Sequence, residues 1–269
     1  SPVIDLFDKK LEIKKDKELV LVPTTCGTGS EVTNVAVLEI KSRQTKLGLA
    51  VDEMYADSAV MIPELLVGLP FKFFATSSID ALIHAIESYV SPKATPYTEM
   101  YSLEATKLII NGYKEIIKNG QDARMPLLEE FLIASNYAGI AFANAGVGAV
   151  HAMSYPFGAK YHVPHGESNY AMFTGVFKTY NKLNPEGKIS KLNDSLANLL
   201  GCSVENVYDE LENLLDNILP KKPLNKYGVT LDDLEEFTDN VMTKQGRLTA
   251  NNYTELNADA VYSIYKALF

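Results

Sequence analysis

The stretch Ser77-Ser78-Ile79-Asp80-Ala81-Leu82-Ile83-His84-Ala85-Ile86-Glu87 decides the fold class, because it combines a helical pattern with side chains that bind cations. The two leading serines predict a helix whose amino terminus is capped by a serine. Asp80 and His84 then lie four residues apart on one helical face. A carboxylate and an imidazole at this spacing can hold one cation. Such a pair is more often a surface contact, so it does not decide the matter alone.

The chain contains only four histidines, and three of them, His151, His162 and His165, lie close together in the sequence. His151 follows a run of small residues, 141–150, whose close packing predicts burial. His165 follows Pro164 at the predicted start of another helix. A continuous helix would separate His151 from His165 by ~21 Å. We expect breaks at Pro156, Gly158 and Pro164 to bring the two imidazoles to one point, although a buried core histidine is the alternative for each.

These residues form a mixed oxygen and nitrogen ligand set of one aspartate and three histidines: Asp80, His84, His151 and His165. Such a set suits iron(II), zinc, manganese or nickel and leaves room for a substrate oxygen. The ligand set alone does not indicate which of these metals is bound. His162 is an alternative to His165 as a ligand, or a proton relay beside the metal.

Outward from this centre, the first sixty residues have strand character. Strands are predicted over residues 18–22, Val35–Ile40 and residues 45–51, with a hairpin around residues 42–44. Between the first two strands lies Pro23-Thr-Thr-Cys-Gly-Thr-Gly-Ser-Glu31. This loop is rich in hydroxyls and glycines, and its backbone amides can face an anion.

From Pro63 onward, apolar residues recur at a spacing near 3.6, which predicts helices to the end of the chain. Helix breaks are predicted at Pro92, Pro126, Pro185 with Gly187, Gly201 and residues 220–223. We therefore predict a mainly α fold in two parts. Residues 1–62 hold a few β-strands of a domain that looks incomplete, and residues 63–269 form an all-helical domain that carries the predicted metal ligands.

Composition excludes several classes of partner and location. A formal net charge of -9 disfavours nucleic acid and anionic lipid surfaces. The two cysteines suggest neither a disulfide framework nor a cysteine zinc site, and they fit a reducing cytoplasm. The first residues lack the pattern of a secretion signal. Residues 137–153 are too few for the ~20 apolar residues of a membrane span, so they are predicted to form a tightly packed interior helix.

Three motifs together resemble the signatures of the iron-containing (group III) alcohol dehydrogenases. They are Pro23-Thr-Thr-Cys-Gly-Thr-Gly-Ser-Glu-Val-Thr, Ile79-Asp-Ala-Leu-Ile-His-Ala-Ile-Glu-Ser-Tyr-Val-Ser and Gly148-Ala-Val-His-Ala-Met-Ser-Tyr-Pro-Phe-Gly-Ala-Lys-Tyr-His-Val-Pro-His-Gly. Their order and spacing agree over nearly the whole chain. The resemblance implies that residues 1–62 are the C-terminal strands of a truncated α/β dinucleotide-binding domain and that residues 63–269 are a dehydroquinate synthase-like, metal-binding catalytic domain. It also implies hydride transfer between NAD(H) and a small alcohol or aldehyde. Within the family, it is closest to the members that act on 4-hydroxybutyrate.

The same resemblance implies roles for individual residues. Iron(II) is the favoured metal and zinc the alternative, with Asp80, His84, His151 and His165 as ligands. The residues that match positions holding the nicotinamide cofactor are Thr24, Thr25, Thr28 and Lys46, although Lys46 taken alone is more typical of a solvated surface lysine. Tyr155 stands where the family often has a histidine, so Tyr155 or His162 is expected to pass the proton. A homo-oligomer is also expected.

The family has an amino-terminal Gly-Gly-Gly-Ser pyrophosphate loop that this sequence does not contain. We therefore expect a truncated chain that keeps the metal site and holds the cofactor poorly. Two alternatives are a glycerol dehydrogenase or dehydroquinate synthase-like metalloenzyme, and a noncatalytic metal-binding domain. A carboxylate-bearing substrate would need a cation near the metal, such as Lys160 or Arg247.

Overall fold

The amino-terminal part of the chain forms two small sheets in a computed structural model that describes residues 3–40 and 45–269. A short helix, α1 (Ile4–Phe7), precedes β1 (Val20–Leu21), which pairs in parallel with β4 (Ser58–Ala59). Strands β2 (Val35–Ile40) and β3 (Thr45–Ala50) pair antiparallel, with Val35 opposite Ala50. The predicted strands are therefore present, while β4 was not predicted. The turn predicted at residues 42–44 falls outside the described residues.

Helices make up the rest of the chain, which confirms the mainly α prediction. After a short 3-10 turn at Pro63–Leu66 come α2 (Phe71–Val90), α3 (Pro96–Asn119), α4 (Leu128–Ala145), α5 (Ala149–Tyr161), α6 (His165–Leu183), α7 (Lys188–Leu200), α8 (Val207–Ile218), α9 (Leu231–Lys244), α10 (Gly246–Thr249) and α11 (Ala258–Leu268). Helix α2 packs against α3, α4 and α6, and α5 packs against α6. The core lies among these helices, and α2 is buried along most of its length.

Helix ends coincide with the predicted break signals. Thr95 caps α3, with Pro96 in the first turn, through a reciprocal pair of hydrogen bonds with Thr98. Gly201 ends α7 with φ 76°, in the left-handed region that glycine adopts without a steric cost. Among the described residues, no helix is long and apolar enough to cross a membrane.

The predicted serine cap of the metal-binding helix is wrong, because α2 begins at Phe71, six residues before Ser77. The two serines lie inside the helix and donate hydrogen bonds back to the carbonyl of Phe74, at 3.1 Å from Ser77 and 2.8 Å from Ser78. A serine hydroxyl inside a helix can donate to the carbonyl three or four residues earlier, so serine is compatible with a helix interior as well as with an N-cap. The spacing of Asp80 and His84 is unaffected, because both remain on one continuous helix.

The break between His151 and His165 also differs from the prediction in detail. Helix α5 continues through Pro156 and Gly158 to Tyr161, and only the turn at His162, with φ 53°, ends it before α6 starts at His165. One proline removes a single backbone hydrogen bond, which a packed helix tolerates. A break does separate α4 from α5 at residues 146–148, so residues 137–153 are not the single interior helix that was predicted.

Candidate metal and cofactor site

Three helices bring the four predicted ligands together. Asp80 and His84 come from α2, His151 from the first turn of α5, and His165 from the first residue of α6. Each residue offers one ligand atom, and these atoms all lie within 4.8 Å of one another. We call these four residues the ligand cluster. The reversal of the chain between α5 and α6 is what places His165 opposite His151.

The distances within the ligand cluster are those of side chains that converge on one point. Asp80 Oδ1 lies 3.9 Å from His151 Nε2 and 3.8 Å from His165 Nε2. His84 Nε2 lies 3.1 Å from His151 Nε2. Asp80, His84 and His151 are buried, whereas the side chain of His165 is 44% exposed. The cluster is therefore open on the His165 side, where an ion and a substrate oxygen can enter.

The electrostatics of the ligand cluster favour a bound cation. Burial lowers the pKa of His84 to about 4 and that of His151 to about 3, which keeps both imidazoles neutral at pH 7 with a lone pair available. Burial acts to raise the pKa of Asp80, but the three histidines and a hydrogen bond from Asn169 hold it below its usual value. Asp80, His84 and His151 thus present one carboxylate and two neutral imidazoles, which are the forms that ligate metals.

Two local features fit a divalent ion. The imidazole nitrogens of His84 and His151 face each other at 3.1 Å, so their lone pairs repel unless a proton or a metal lies between them. His84 Nδ1 is buried and has no hydrogen-bond partner. Buried polar atoms are rarely unpartnered in folded proteins, and such an exception points to a ligand. The donor set of nitrogen and oxygen suits iron(II) or zinc.

Two residues around the ligand cluster were not predicted to have a role. Glu87 Oε2 lies 2.5 Å from His151 Nδ1, and Asn169 Nδ2 lies 2.7 Å from Asp80 Oδ1 and 3.1 Å from Nε2 of both His151 and His165. Both are buried. Helical spacing was the available signal, since Glu87 follows His84 by three residues and Asn169 follows His165 by four.

The two predicted proton-relay residues lie in different environments. Tyr155 packs beside the cluster, with its ring centroid 6.0 Å from that of His165. Burial raises the pKa of Tyr155, so its hydroxyl keeps its proton at neutral pH. His162 is exposed and, among the described residues, makes no hydrogen bond or ring contact with the ligand cluster. The geometry therefore brings Tyr155 to the cluster and leaves His162 outside it.

The predicted cofactor loop follows β1 and is held against the helices by glycines. A Cβ on Gly27 would lie 2.9 Å from that of Ser77, and one on Gly139 would lie 2.5 Å from the Gly29 carbonyl oxygen, so neither position has room for a side chain. This close approach buries Gly27 and Gly29, while the predicted cofactor residues Thr24, Thr25 and Thr28 are exposed, as is Ser30. The loop lies one helical turn from Asp80 along α2. The side chain of Lys46, the fourth predicted cofactor residue, lies outside the described residues.

The two candidate cations for a substrate carboxylate also differ. Lys160 is paired with Asp233 at 2.6 Å and with Glu236 at 2.5 Å. Arg247 lies on α10, which packs against α5, and its charge acts on the Tyr155 hydroxyl. Arg247 is exposed and has no carboxylate partner among the described residues. Its charge is therefore free to meet a substrate.

Comparisons with known proteins agree with this geometry. The family described as "Fe-containing alcohol dehydrogenase family, C-terminal" matches residues 74–269, and "Iron-containing alcohol dehydrogenase" matches residues 3–63. A 4-hydroxybutyrate dehydrogenase of Clostridium kluyveri is 55% identical over 99% of this chain and 72% of its own length. Long-chain-alcohol dehydrogenase 1 of Geobacillus thermodenitrificans is 34% identical over 95% of this chain and 65% of its own length.

A solved structure shows the same fold. The crystal structure of a 1,3-propanediol oxidoreductase superposes with a TM-score of 0.84 at 26% identity, covering 96% of this chain and 68% of that protein. The chain therefore spans about two thirds to three quarters of the length of these three proteins.

Proposed function

Because the chain belongs to the iron-containing alcohol dehydrogenase family, we propose that it transfers a hydride between NAD(H) and 4-hydroxybutyrate or succinate semialdehyde. The observation that carries this proposal is the ligand cluster of one carboxylate and three imidazoles, buried except at His165, beside an exposed threonine loop. The substrate is inferred from the Clostridium kluyveri relative, which bears the name 4-hydroxybutyrate dehydrogenase. The substrate, the cofactor and the ligand assignment belong to the proposal.

In this proposal, Asp80, His84, His151 and His165 hold iron(II), or alternatively zinc. A divalent ion there supplies Lewis acidity to the oxygen of the alcohol or aldehyde. Thr24, Thr25 and Thr28 orient the nicotinamide end of the cofactor, with Lys46 near its charged side. The half-exposed position of His165 leaves the substrate an approach to the cluster that the other three ligands do not offer.

Proton transfer is assigned to Tyr155 rather than His162. The Tyr155 hydroxyl is protonated at neutral pH, because burial raises its pKa, so it can donate a proton to the oxygen of an aldehyde undergoing reduction. Its neighbour Arg247 supports the opposite step, because a cation lowers the cost of the tyrosinate form. His162 lies at the exposed turn before α6 and, among the described residues, makes no hydrogen bond or ring contact with the ligand cluster.

The substrate carboxylate is assigned to Arg247. Lys160 already has two carboxylate partners, whereas Arg247 has none among the described residues. A guanidinium binds a carboxylate through two parallel N–H donors, which fixes the far end of the substrate. The hydroxyl end of a four-carbon hydroxy acid is then directed at the ligand cluster.

The test uses the complete protein that contains this chain, loaded with iron(II). We expect NAD+-dependent oxidation of 4-hydroxybutyrate, with butan-1-ol as the matched substrate that lacks the carboxylate. Arg247→Met should raise KM for 4-hydroxybutyrate about 10- to 100-fold, because a charge-assisted hydrogen bond contributes about 1.5–3 kcal/mol. The same variant should leave KM for butan-1-ol unchanged, whereas any loss through Tyr155 should lower kcat for both alcohols alike. Lys160→Met should affect neither substrate.

Two results would contradict the proposal. A metal-loaded protein that binds NADH, detected by nicotinamide fluorescence, but does not oxidise 4-hydroxybutyrate has a different substrate. A protein that gives no fluorescence response at all is a noncatalytic metal-binding domain. Size-exclusion chromatography with light scattering checks the proposed homo-oligomer, and cell fractionation checks the proposed cytoplasmic location, which the two free cysteines favour.

A further inference from the structure

The carboxylate of Glu87 links two parts of the site that are far apart in sequence. Glu87 lies in α2, one turn beyond His84, and is 2% exposed. Its Oε2 contacts His151 Nδ1 at 2.5 Å. Its Oε1 accepts a hydrogen bond from the backbone N–H of Val150 at 2.8 Å. Both contacts join α2 to the first turn of α5.

Oε1 of Glu87 accepts from the Val150 N–H and Oε2 lies 2.5 Å from His151 Nδ1, a geometry that favours a proton on Nδ1 of His151. Gly148 has no side chain to cap α5, and the carboxylate of Glu87 in α2 instead accepts a hydrogen bond from the first turn of α5. With Glu87 ionised, both of its oxygens only accept hydrogen bonds, so the 2.5 Å contact is then a hydrogen bond from His151 Nδ1–H to Oε2. A neutral imidazole with its proton on Nδ1 has a bare lone pair on Nε2, the nitrogen that faces the ligand cluster.

The opposite arrangement would disable the ligand. If the proton sat on His151 Nε2, its N–H would point towards His84 Nε2, which lies 3.1 Å away, and it could not bind a metal. Glu87 would then have to be neutral and donate to Nδ1. The two arrangements are chemically distinct, and only the first leaves His151 able to ligate.

We propose that Glu87 is a positioning residue that sets the tautomer and orientation of His151 and thereby raises the metal affinity of the ligand cluster. The inference rests on the proposed function only in that the cluster binds a divalent ion. It does not depend on the substrate or the cofactor. The residues around a ligand that fix its hydrogen bonding typically change metal affinity by about 10- to 100-fold.

The decisive variant is Glu87→Gln, which keeps the size of the side chain and removes one acceptor. An amide has one oxygen and one NH2 group, so it cannot accept from both Val150 N–H and His151 Nδ1–H. Glu212→Gln is the matched control, because Glu212 is a partly buried helical carboxylate that accepts from Thr174 and Lys221. The readouts are Zn²⁺ affinity, by competition with a chelator, and the His151 tautomer, by long-range 1H–15N NMR of the imidazoles.

For the wild-type chain, we expect the His151 proton on Nδ1. For Glu87→Gln, we expect a mixed or reversed tautomer and Zn²⁺ binding that is about 10- to 100-fold weaker. Glu212→Gln should match the wild type in both readouts. A wild-type His151 with its proton on Nε2 would overturn the proposal without any variant, which covers the case in which Glu87→Gln does not fold. A folded Glu87→Gln with wild-type Zn²⁺ affinity would overturn it as well.

These outcomes separate the inference from the proposed function. If the wild type binds Zn²⁺ and shows the expected tautomer but the complete protein does not oxidise 4-hydroxybutyrate, only the substrate assignment fails. If the complete protein does oxidise 4-hydroxybutyrate and Glu87→Gln retains wild-type metal affinity, only the role of Glu87 fails.

Discussion

Two carboxylate networks within the helical part of the chain differ in what balances their charge. Glu212, in α8, accepts from Thr174 at 2.7 Å and pairs with Lys221 at 3.0 Å, while Lys178 lies 3.4 Å away. We call this the Glu212 network. In the ligand cluster and around it, Asp80 and Glu87 meet only imidazoles, amides and backbone N–H groups. Neither forms an ion pair with a lysine or arginine in the ranges that the structure describes.

The difference separates a structural network from a binding site. A buried anion is costly unless a positive group compensates it. In the Glu212 network, lysines of the same chain provide that compensation, so the network is complete without a ligand. The ligand cluster combines the buried carboxylate of Asp80 with the imidazoles of His84 and His151, which burial keeps neutral, so a cation from outside the chain would compensate its charge. A divalent cation meets that need.

The pKa shifts of the Glu212 network show that the folded structure favours the charged form of Glu212 but disfavours the charged form of Lys221. Burial acts to raise the pKa of Glu212, but Lys221 and Thr174 lower it overall, so pairing stabilises this carboxylate. Burial lowers the pKa of Lys221 despite the attraction of Glu212, so the ammonium is still destabilised. We therefore expect the pair to contribute little net stability, as is common for ion pairs removed from water.

The largest expected effect comes from removing the carboxylate of the ligand cluster. Asp80→Ala in the complete protein should lower kcat/KM for the alcohol by about 10³-fold or more, because a metal Lewis acid contributes several kcal/mol to the transition state. Metal content, measured by mass spectrometry, should fall in parallel. Glu212→Gln should retain both metal and turnover. Full activity of the Asp80→Ala protein would show that the ligand cluster, like the Glu212 network, does not need a bound metal ion.

The next effect is stabilisation of the isolated chain by metal. Zn²⁺ at about 1,000 times its Kd should raise the free energy of unfolding by about 4 kcal/mol, since the ion binds only the folded state. The measurement is urea unfolding followed by circular dichroism, with and without Zn²⁺. His84→Ala should remove the metal-dependent gain, whereas Lys221→Met should keep it. An equal gain in both variants would place the ion elsewhere.

A smaller effect should follow when the Glu212 network loses its main cation. Lys221→Met should lower the free energy of unfolding by about 1–3 kcal/mol, because it leaves a half-buried carboxylate short of a partner. Adding Glu212→Gln to Lys221→Met should recover part of this loss, as a double-mutant cycle at pH 7 would measure. If the two changes are simply additive, the pair is not coupled.

The smallest effect is the pH dependence of the Glu212 network. The folded pKa of Glu212 lies below its unfolded value of 4.5, so its contribution is present above pH 4.5 and is lost as the pH falls through the folded pKa. The wild type should therefore exceed Glu212→Gln by at most about 1 kcal/mol at pH 7. This difference should shrink below pH 4.5, as urea unfolding at several pH values would show. If the stability difference between the wild type and Glu212→Gln grew on acidification, the folded pKa of Glu212 would be raised rather than lowered.

Much of the architecture could be predicted because its signals are local. The period of apolar residues indicated the helices, and glycine and proline marked their ends at Gly201 and around Pro92, Pro126 and Pro185. The start of α2 was missed because serine caps a helix and also bonds backwards inside one, as Ser77 and Ser78 do. Strand β4 was missed because two residues hold too little pattern. The domain boundary at residues 62 and 63 stays a prediction.

For the site, sequence reasoning identified the metal-binding residue types but not their surroundings. Scarcity of histidine and the i, i+4 spacing on α2 selected Asp80 and His84, the clustering of the remaining histidines selected His151 and His165, and the family motifs agreed with that set. Nothing in the sequence distinguished Tyr155 from His162 as a relay, since both lie within eleven residues of His151. Their exposure separates them, and exposure depends on how α5 and α6 pack.

The sequence by itself determined which chemistry this chain carries: one aspartate and three imidazoles, a loop of threonines and glycines, and helices to present them. Local spacing and composition encode such features directly. The tertiary structure alone decided that the four ligand atoms converge, that Glu87 of one helix bonds the first turn of another, and which cations are already paired. The contacts that join α2 to α5 link residues 63 to 67 positions apart, and no local pattern records the geometry of contacts between separate helices.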